Sequence, residues 1–307
     1  MQQMALAKNK TVIVVCGPTA AGKTSVAIEL ARKFETEIIS ADSRQCFKEL
    51  NIGVARPSEL DLQTVKHYFV ASHSIHETVN AGSFELYALQ KVNEIFLAHN
   101  VAIMVGGTGL YIKTFCEGMD EMPDVPGEVR KAIVMSYEKN GLEWLQRETE
   151  KKDPSFYKTG DIQNPQRLMR ALEVAEATGQ SILKFRKGKK EERDFNIMKI
   201  GLELSKEELH SNINTRVERM LDAGLLEEVK SLLPYKHLNA LQTVGYTEIF
   251  DHLDGKTSLK DAIEQIKTNT RQYAKRQMTW FKKDEDINWI DAGSASAQWN
   301  FVSSILA

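Results

Sequence analysis

Cysteine is scarce in this chain: Cys16, Cys46 and Cys116 form no CxxC pair and no His/Cys spacing suited to zinc. That excludes a zinc ribbon and a disulfide-built extracellular scaffold, and free thiols in a reducing compartment are expected. Net charge is equally scant. The 40 basic and 42 acidic residues leave −2, which excludes a protein that coats nucleic acid through its global field. Any nucleic-acid contact has to come from local basic patches. No apolar run approaches the roughly 18 residues of a membrane span, and residues 1–10 lack the apolar stretch of a secretory leader. No internal repeat or low-complexity tract is evident. What remains is a 307-residue chain, 42% hydrophobic, long enough for a sizeable core. A soluble, cytoplasmic protein without a membrane partner is the expectation.

The first third alternates strand and helix. Thr11 to Cys16 (TVIVVC) is a β-branched run of the kind buried on both faces of a sheet. Lys23 to Phe34 has helical periodicity, with Val26, Ala27, Leu30, Ala31 and Phe34 on one face. Glu37 to Ala41 predicts a second strand, Phe84 to Ala98 a helix and Val101 to Val105 a third strand. This order implies a parallel α/β sheet with right-handed crossovers, whose ligands gather at the carboxyl ends of the strands. Past Met119 the character changes. Pro123, Pro126 and Gly127 mark a boundary, Glu128 to about Phe185 reads as helical, and Lys184 to Arg193 reads as a charged loop. Phe195 to Leu204 predicts a strand returning to the sheet, and helices are expected from Ser205 onward, with breaks near Pro234 and Gly255. The reading is a core of residues 1–120 and 195–307, interrupted by a helical insertion of 121–194.

Residues Gly17, Pro18, Thr19, Ala20, Ala21, Gly22, Lys23 and Thr24 fit GxxxxGK[ST] directly between a predicted strand and a predicted helix. Glycines there let successive backbone N–H groups turn toward phosphate oxygens, and the helix N-terminus adds a positive end. Lys23 is placed to neutralise the terminal phosphate and the Thr24 hydroxyl to bind Mg²⁺. The pattern specifies a polyphosphate or pyrophosphate but not which ester carries it. Asp42-Ser43-Arg44-Gln45 follows the second strand and Gly106-Gly107-Thr108-Gly109 the third. From the residues alone, Asp42 is open to three readings: general base, metal ligand or turn cap.

With these loops in view the sequence resembles the tRNA dimethylallyltransferase family, the P-loop class of isopentenyl transferases, in its bacterial form. The resemblance rests on GPTAAGKT at 17–24, EIISADSRQ at 37–45, VGGTGLY at 105–111, NPQRLMRALEV at 164–174, RVERMLDAGLLEEV at 216–229, VGY at 244–246 and TRQYAKRQMTWF at 270–281. It implies a P-loop NTPase-like parallel sheet flanked by helices, with an all-helical insertion that contacts RNA. It also implies transfer of a dimethylallyl group from its pyrophosphate to the N6 amine of the adenosine at tRNA position 37, beside the anticodon. Asp42 then matches the family's general base, Thr108 a hydroxyl reaching the transferring ester, and Arg216 an arginine that neutralises the pyrophosphate.

A base stacked in a loop has to be flipped out to reach a buried carboxylate, and RNA modules do this with basic and planar side chains. The tRNA contacts implied by the resemblance are Asp42, Ser43, Arg44, Gln45, Thr108, Arg130, Gln166, Arg167, Leu168, Met169, Arg170, Gln242, Gly245, Tyr246, Arg271, Lys275, Arg276 and Gln277. Arg271, Lys275 and Arg276 share one helical face by spacing, near Trp280. The run Lys184 to Arg193, with six basic and two acidic residues, lies outside the motifs and reads as a solvated loop. Phe47 and Asn212 depart from the family's usual tyrosine and arginine, and the chain ends at Ala307 without the zinc-finger extension of some eukaryotic members. Mg²⁺ is the expected cofactor, tRNA and dimethylallyl pyrophosphate the expected partners, and a monomer the expected state. The competing readings are a P-loop small-molecule kinase, an isopentenyltransferase acting on free adenine nucleotides, and an RNA-binding protein with a relic P-loop.

Overall fold

In the computed structural model, which describes residues 10–188 and 190–293, Thr11–Cys16 forms the central strand β1. Val12 and Val14 pack on one face of it and Ile13 and Val15 on the other, all at most 1% exposed. A strand buried on both sides needs layers on both sides. The first helix, α1 (Lys23–Lys33), covers one face with Val26, Ala27, Leu30 and Ala31. α3 (Ala81–Ile95), reached after the short α2 (Glu59–Thr64), presents Phe84, Ala88 and Val92 to the opposite core. Further strands are β2 (Ile38–Ser40), β3 (His67–Tyr68), β4 (Val101–Gly106), β5 (Asn196–Glu203) and β6 (Ile287–Asp291). All pair in parallel, in the order β3-β2-β4-β1-β5-β6. A parallel sheet with helices on both faces and a phosphate loop leaving its central strand is a P-loop NTPase-like fold.

The remaining helices are α4 (Gly109–Glu117), α5 (Gly127–Lys152), α6 (Pro154–Thr159), α7 (Pro165–Thr178), α8 (Lys206–Asp222), α9 (Leu225–Ser231), α10 (Thr247–Leu253) and α11 (Leu259–Phe281). Among the described residues no helix is long and apolar enough to cross a membrane. The three cysteines are buried and none is in a disulfide. The expectations about a leader and about the chain's end fall, apart from Lys10, outside the described residues, as does Lys189 of the basic run.

The sequence reading has only helices after Ser205, whereas β6 forms a sixth strand paired with β5 from Lys199↔Ile287 to Glu203↔Asp291. β3 is also additional, a two-residue edge strand against β2. The chain divides into two compact units, residues 1–116 with 192–307, and residues 117–191. The second carries its own core of Ile133, Leu145, Phe156, Leu168, Met169, Leu172 and Ile182. Within it, Gly141 at φ 73° breaks α5 into two helical stretches. Asp153, 1% exposed, ties the start of α6 to the turn Ile182–Lys184 beyond α7 by accepting from Phe156 N and Ile182 N, each at 3.0 Å.

Candidate active site

Three loops leave the carboxyl ends of the adjacent strands β2, β4 and β1, and the site is built from them. The loop after β1 is held tightly. A Cβ on Gly17 would sit 2.5 Å from the Leu202 carbonyl oxygen of the neighbouring strand, so only glycine fits there. Gly22 at φ 80° occupies the N-cap of α1 in the left-handed region. Lys23 turns back to donate to the Pro18 carbonyl at 2.6 Å. Its ammonium is depressed to about pKa 8, chiefly by burial and then by the Arg216 guanidinium, with Asp42 opposing.

The second and third loops interlock. Asp42 Oδ1 accepts from the backbone N–H groups of Arg44 at 2.9 Å and Gln45 at 3.2 Å, closing a turn at the end of β2. Oδ2 receives no hydrogen bond among the described residues. Thr108 donates its N–H to the Ala41 carbonyl at 3.3 Å, and its hydroxyl accepts from Ser43 N at 3.1 Å. The approach of β4 to this loop is close: a Cβ on Gly106 would lie 2.2 Å from the Ala41 oxygen. Asp42 is thus fixed on two sides, with one carboxylate oxygen available for chemistry.

Gln277 of α11 ties the loops to one another. Its amide oxygen accepts from Thr19 N and its Nε2 donates to the Gly107 carbonyl, both at 2.8 Å. It is 7% exposed. Both polar ends of the side chain, expected from the resemblance to face tRNA, are engaged inside the protein. Asn212 of α8, where an arginine is usual in the family resembled, donates to the Ala20 carbonyl at 3.2 Å and so supports the phosphate loop. Sequence reasoning assigned neither residue this part, since a loop-bridging amide has no local pattern.

Two cavities share the wall formed by Thr19, Asp42, Arg216 and Tyr273. One, of about 150 Å³, is lined by Gly22, Lys23, Thr24, Ser40, Gln45, His67 and Gly107. The other, of about 110 Å³, is lined by Val54, Val217, Met220, Val244 and Ile266 with Arg44, Thr243 and Gly245. A cationic, hydroxyl-bearing chamber thus opens beside an apolar one, with a carboxylate and a guanidinium where they meet. Burial lowers the pKa of Arg216 and the nearby Asp42 raises it. Burial also pushes the Tyr273 phenol up to about 12, so it stays neutral.

The other expected RNA contacts divide by exposure. On α11, Lys275 and Arg276 are exposed, with Arg276 over the Tyr273 ring at 5.8 Å. Arg271 is instead half-buried and donates to Asn214 at 2.6 Å. Arg44 donates to the Asn239 carbonyl at 2.8 Å and Gln242 to the Lys236 carbonyl at 2.6 Å. The Gln45 amide donates to the Ala55 carbonyl at 3.0 Å, directed into its own loop. Tyr246 is fully buried, its hydroxyl donating to Glu228 at 2.6 Å beneath Gly53, so the ring packs in the core.

In the helical unit, the side chains of Leu168 and Met169 are 0% and 5% exposed and pack in the core. Their neighbours form a basic face. Arg130 and Arg170 reach opposite oxygens of the buried Glu173, at 3.6 Å and 3.3 Å, and Arg167 pairs with Asp161 at 3.4 Å. Arg186 belongs with them. Burial and then the charges of Arg167 and Arg170 lower its pKa, and its guanidinium lies 5.6 Å from the Phe156 ring centre. The reading of residues 184–193 as a plain solvated loop passed over this arginine, whose proximity to α7 is tertiary.

A family model described as IPP transferase matches residues 45–284. A tRNA dimethylallyltransferase of Christiangramia forsetii is 49% identical over 279 residues, covering 91% of this chain and 92% of that protein. One of Cytophaga hutchinsonii is 46% identical over 298 residues, covering 97% and 98%. Among solved structures, the tRNA isopentenylpyrophosphate transferase of Bacillus halodurans superposes with a TM-score of 0.72 at 30% identity, over 97% of this chain and 96% of that one. A eukaryotic dimethylallyltransferase acting on tRNA gives 0.79 at 27% identity, over 97% and 77%. With the family model spanning most of its length and relatives close to half identical across nearly all of it, the chain belongs to the IPP transferase family.

Proposed function

We propose that the chain is a tRNA dimethylallyltransferase, moving the dimethylallyl group of dimethylallyl pyrophosphate onto the N6 amine of the adenosine at position 37, beside the anticodon. The observation that carries this reading is the position of Asp42 and Arg216 on the wall shared by a phosphate-type chamber and an apolar one. The pyrophosphate lies against the 17–24 loop and Lys23, and the apolar chamber receives the five-carbon chain. As the C1–O bond breaks, its electron pair leaves with the pyrophosphate, whose charge Lys23, Arg216 and the loop amides stabilise. The N6 lone pair forms the new N–C1 bond. Its proton passes to the carboxylate of Asp42, whose Oδ2 is spared the turn contacts.

The residues fit a magnesium ion carried on the pyrophosphate. The Thr24 hydroxyl lines the polar chamber, and among the described residues no cluster of three His, Cys, Asp or Glu side chains offers a complete protein site. That donor set suits a cation that keeps waters and phosphate oxygens as ligands. Thr24 would hold it, and the chemistry supplied is charge neutralisation on the leaving group. The exposed Lys275 and Arg276, and the arginine face of the helical unit, favour a polynucleotide acceptor over free AMP. The names of the relatives favour tRNA. We take the protein to act as a cytoplasmic monomer.

Incubation with Mg²⁺, dimethylallyl pyrophosphate and unmodified tRNA, followed by mass analysis of digested nucleosides, tests this. A C5 unit gained on adenosine is expected. Prenylated AMP with untouched tRNA would make the protein a nucleotide-specific enzyme, and ATP consumption without prenylation would make it a kinase.

A further inference from the structure

The apolar chamber is walled on one side by Gly53 and Val54, from the loop between β2 and α2, and on the other by the turn 243–245 and Ile266 of α11. The loop and the turn lie outside the helices and strands, so no ladder of backbone hydrogen bonds fixes their spacing. A carboxylate does. Glu228 of α9 accepts from Ile52 N at 2.7 Å through Oε2, and from Gly53 N at 3.0 Å and the Tyr246 hydroxyl at 2.6 Å through Oε1. Tyr246 directly follows the turn, and its fully buried ring lies under Gly53, where a Cβ would come within 2.5 Å of it. Burial and then the Glu228 charge push the phenol's pKa up, so the hydroxyl stays a donor. A second carboxylate continues the tie. Glu248 of α10, 3% exposed, accepts from Gly245 N at 2.8 Å and from the side chain of Asn269 on α11 at 2.6 Å.

Loop, turn and helix are thus joined through two carboxylates, and none of Glu228, Tyr246 and Glu248 lines the chamber itself. Hydrogen bonds to a carboxylate are stronger than neutral ones, so a wall held this way resists displacement. The mechanism above gives these residues no part. We propose that Glu228 is a positioning residue that, through Tyr246, sets the width of the apolar chamber and so restricts the alkyl group to a single five-carbon unit. A ten-carbon allylic chain enters only when the loop at 52–54 moves away from the turn at 243–245, and that movement breaks the bond between Glu228 and Tyr246. Among the described residues no hydrogen bond links the three side chains to the 17–24 loop, so pyrophosphate binding is independent of the brace. The inference rests on the reading of the apolar chamber as the site of the five-carbon chain.

Tyr246→Phe cuts the brace and keeps the packed ring, so it decides the matter even where Glu228→Gln loses stability. The measurement is kcat/KM for dimethylallyl and for geranyl pyrophosphate on unmodified tRNA, in wild type and both variants, with the KM for tRNA and inhibition by inorganic pyrophosphate in Mg²⁺ taken alongside. Wild type is expected to favour the five-carbon ester. In each variant that preference falls about three- to tenfold, the usual effect of one net hydrogen bond, while inhibition by pyrophosphate is unchanged. A preference retained in Tyr246→Phe, with the KM for tRNA also unchanged, would overturn the role of Glu228 and leave the reading of the chamber standing. Pyrophosphate inhibition weakened in step would make the effect a general loosening and equally overturn that role. A raised KM for tRNA with the preference intact would give the chamber to the acceptor base, overturning both. A wild type that uses the two esters equally would overturn the size limit, and one that uses neither would overturn the transfer reaction itself.

Discussion

Lys23 is the residue whose charge state the site perturbs most usefully. Its ammonium is depressed to about pKa 8, with burial the leading cause and Arg216 the second. The protonated form is the one that attracts pyrophosphate. Affinity is therefore full below pH 8 and falls as pH climbs through that value toward the ordinary lysine range. Titrating pyrophosphate from pH 7 to 9.5 should show this decline, and Lys23→Met should bind weakly with a flat profile over the same interval. Gln277 acts differently. Its replacement by alanine strands Thr19 N and the Gly107 carbonyl, which loosens two loops at once. A KM for dimethylallyl pyrophosphate raised roughly 10-fold is expected, the cost of about one charge-neutral hydrogen bond, with tRNA affinity near normal in a filter-binding assay. At this scale the sequence is legible where residue type and spacing name the chemistry, as in Gly17 to Thr24, whereas at Asp42 the residues alone leave base, metal ligand and turn cap open. It is silent where a buried amide serves as a strut, because the partners of Gln277 lie 170 and 258 positions away.

Among the elements, β1 and β4 declare themselves by unbroken β-branched or apolar runs, as strands buried on both faces must. β6 does not. Its INWID, at the sheet edge, buries only Ile287 and Ile290 and comes soon after a 23-residue helix, so no long apolar run marks it. β3, with two residues, is too short for any period to register. Helix α11 shows how one element serves two ends. Ala274, Gln277 and Phe281 face inward while Lys275 and Arg276 face solvent. Neutralising Lys275 and Arg276 together should flatten the log–log salt dependence of tRNA binding by about 1.5, given roughly 0.7–0.9 per phosphate contact. Fluorescence titrations at three or more salt concentrations measure it, and an unchanged slope would remove these residues from the RNA contact. Arg271, paired with Asn214, should contribute nothing to that slope. α7 reads two ways for the same reason: Leu168, Met169 and Leu172 recur at helical spacing, the signature of core, while Arg167 and Arg170 are interleaved with them on the neighbouring face.

At the scale of the whole molecule the chain holds two hydrophobic systems, the sheet with its two helical layers and the separate core of residues 117–191. Because Leu168 is fully buried in the latter, Leu168→Ala should destabilise that unit by about 2–5 kcal/mol, the range for a core leucine. Urea denaturation checks this. A loss of tRNA affinity without loss of stability would return Leu168 to the binding surface. The sheet brings three loops, distant in sequence, to the ends of three adjacent strands, and Asp42 is where a phosphate chamber and an apolar chamber meet. Asp42→Asn is the sharpest probe of that arrangement, since the amide oxygen can still close the turn with Arg44 and Gln45 while the base is removed. The deciding measurement is single-turnover prenylation of tRNA by wild type and Asp42→Asn at saturating dimethylallyl pyrophosphate. A rate about 10²–10⁴-fold lower in the variant, with tRNA affinity retained, is the predicted result for loss of a general base. An unchanged rate would take Asp42 out of the proton transfer and contradict the account.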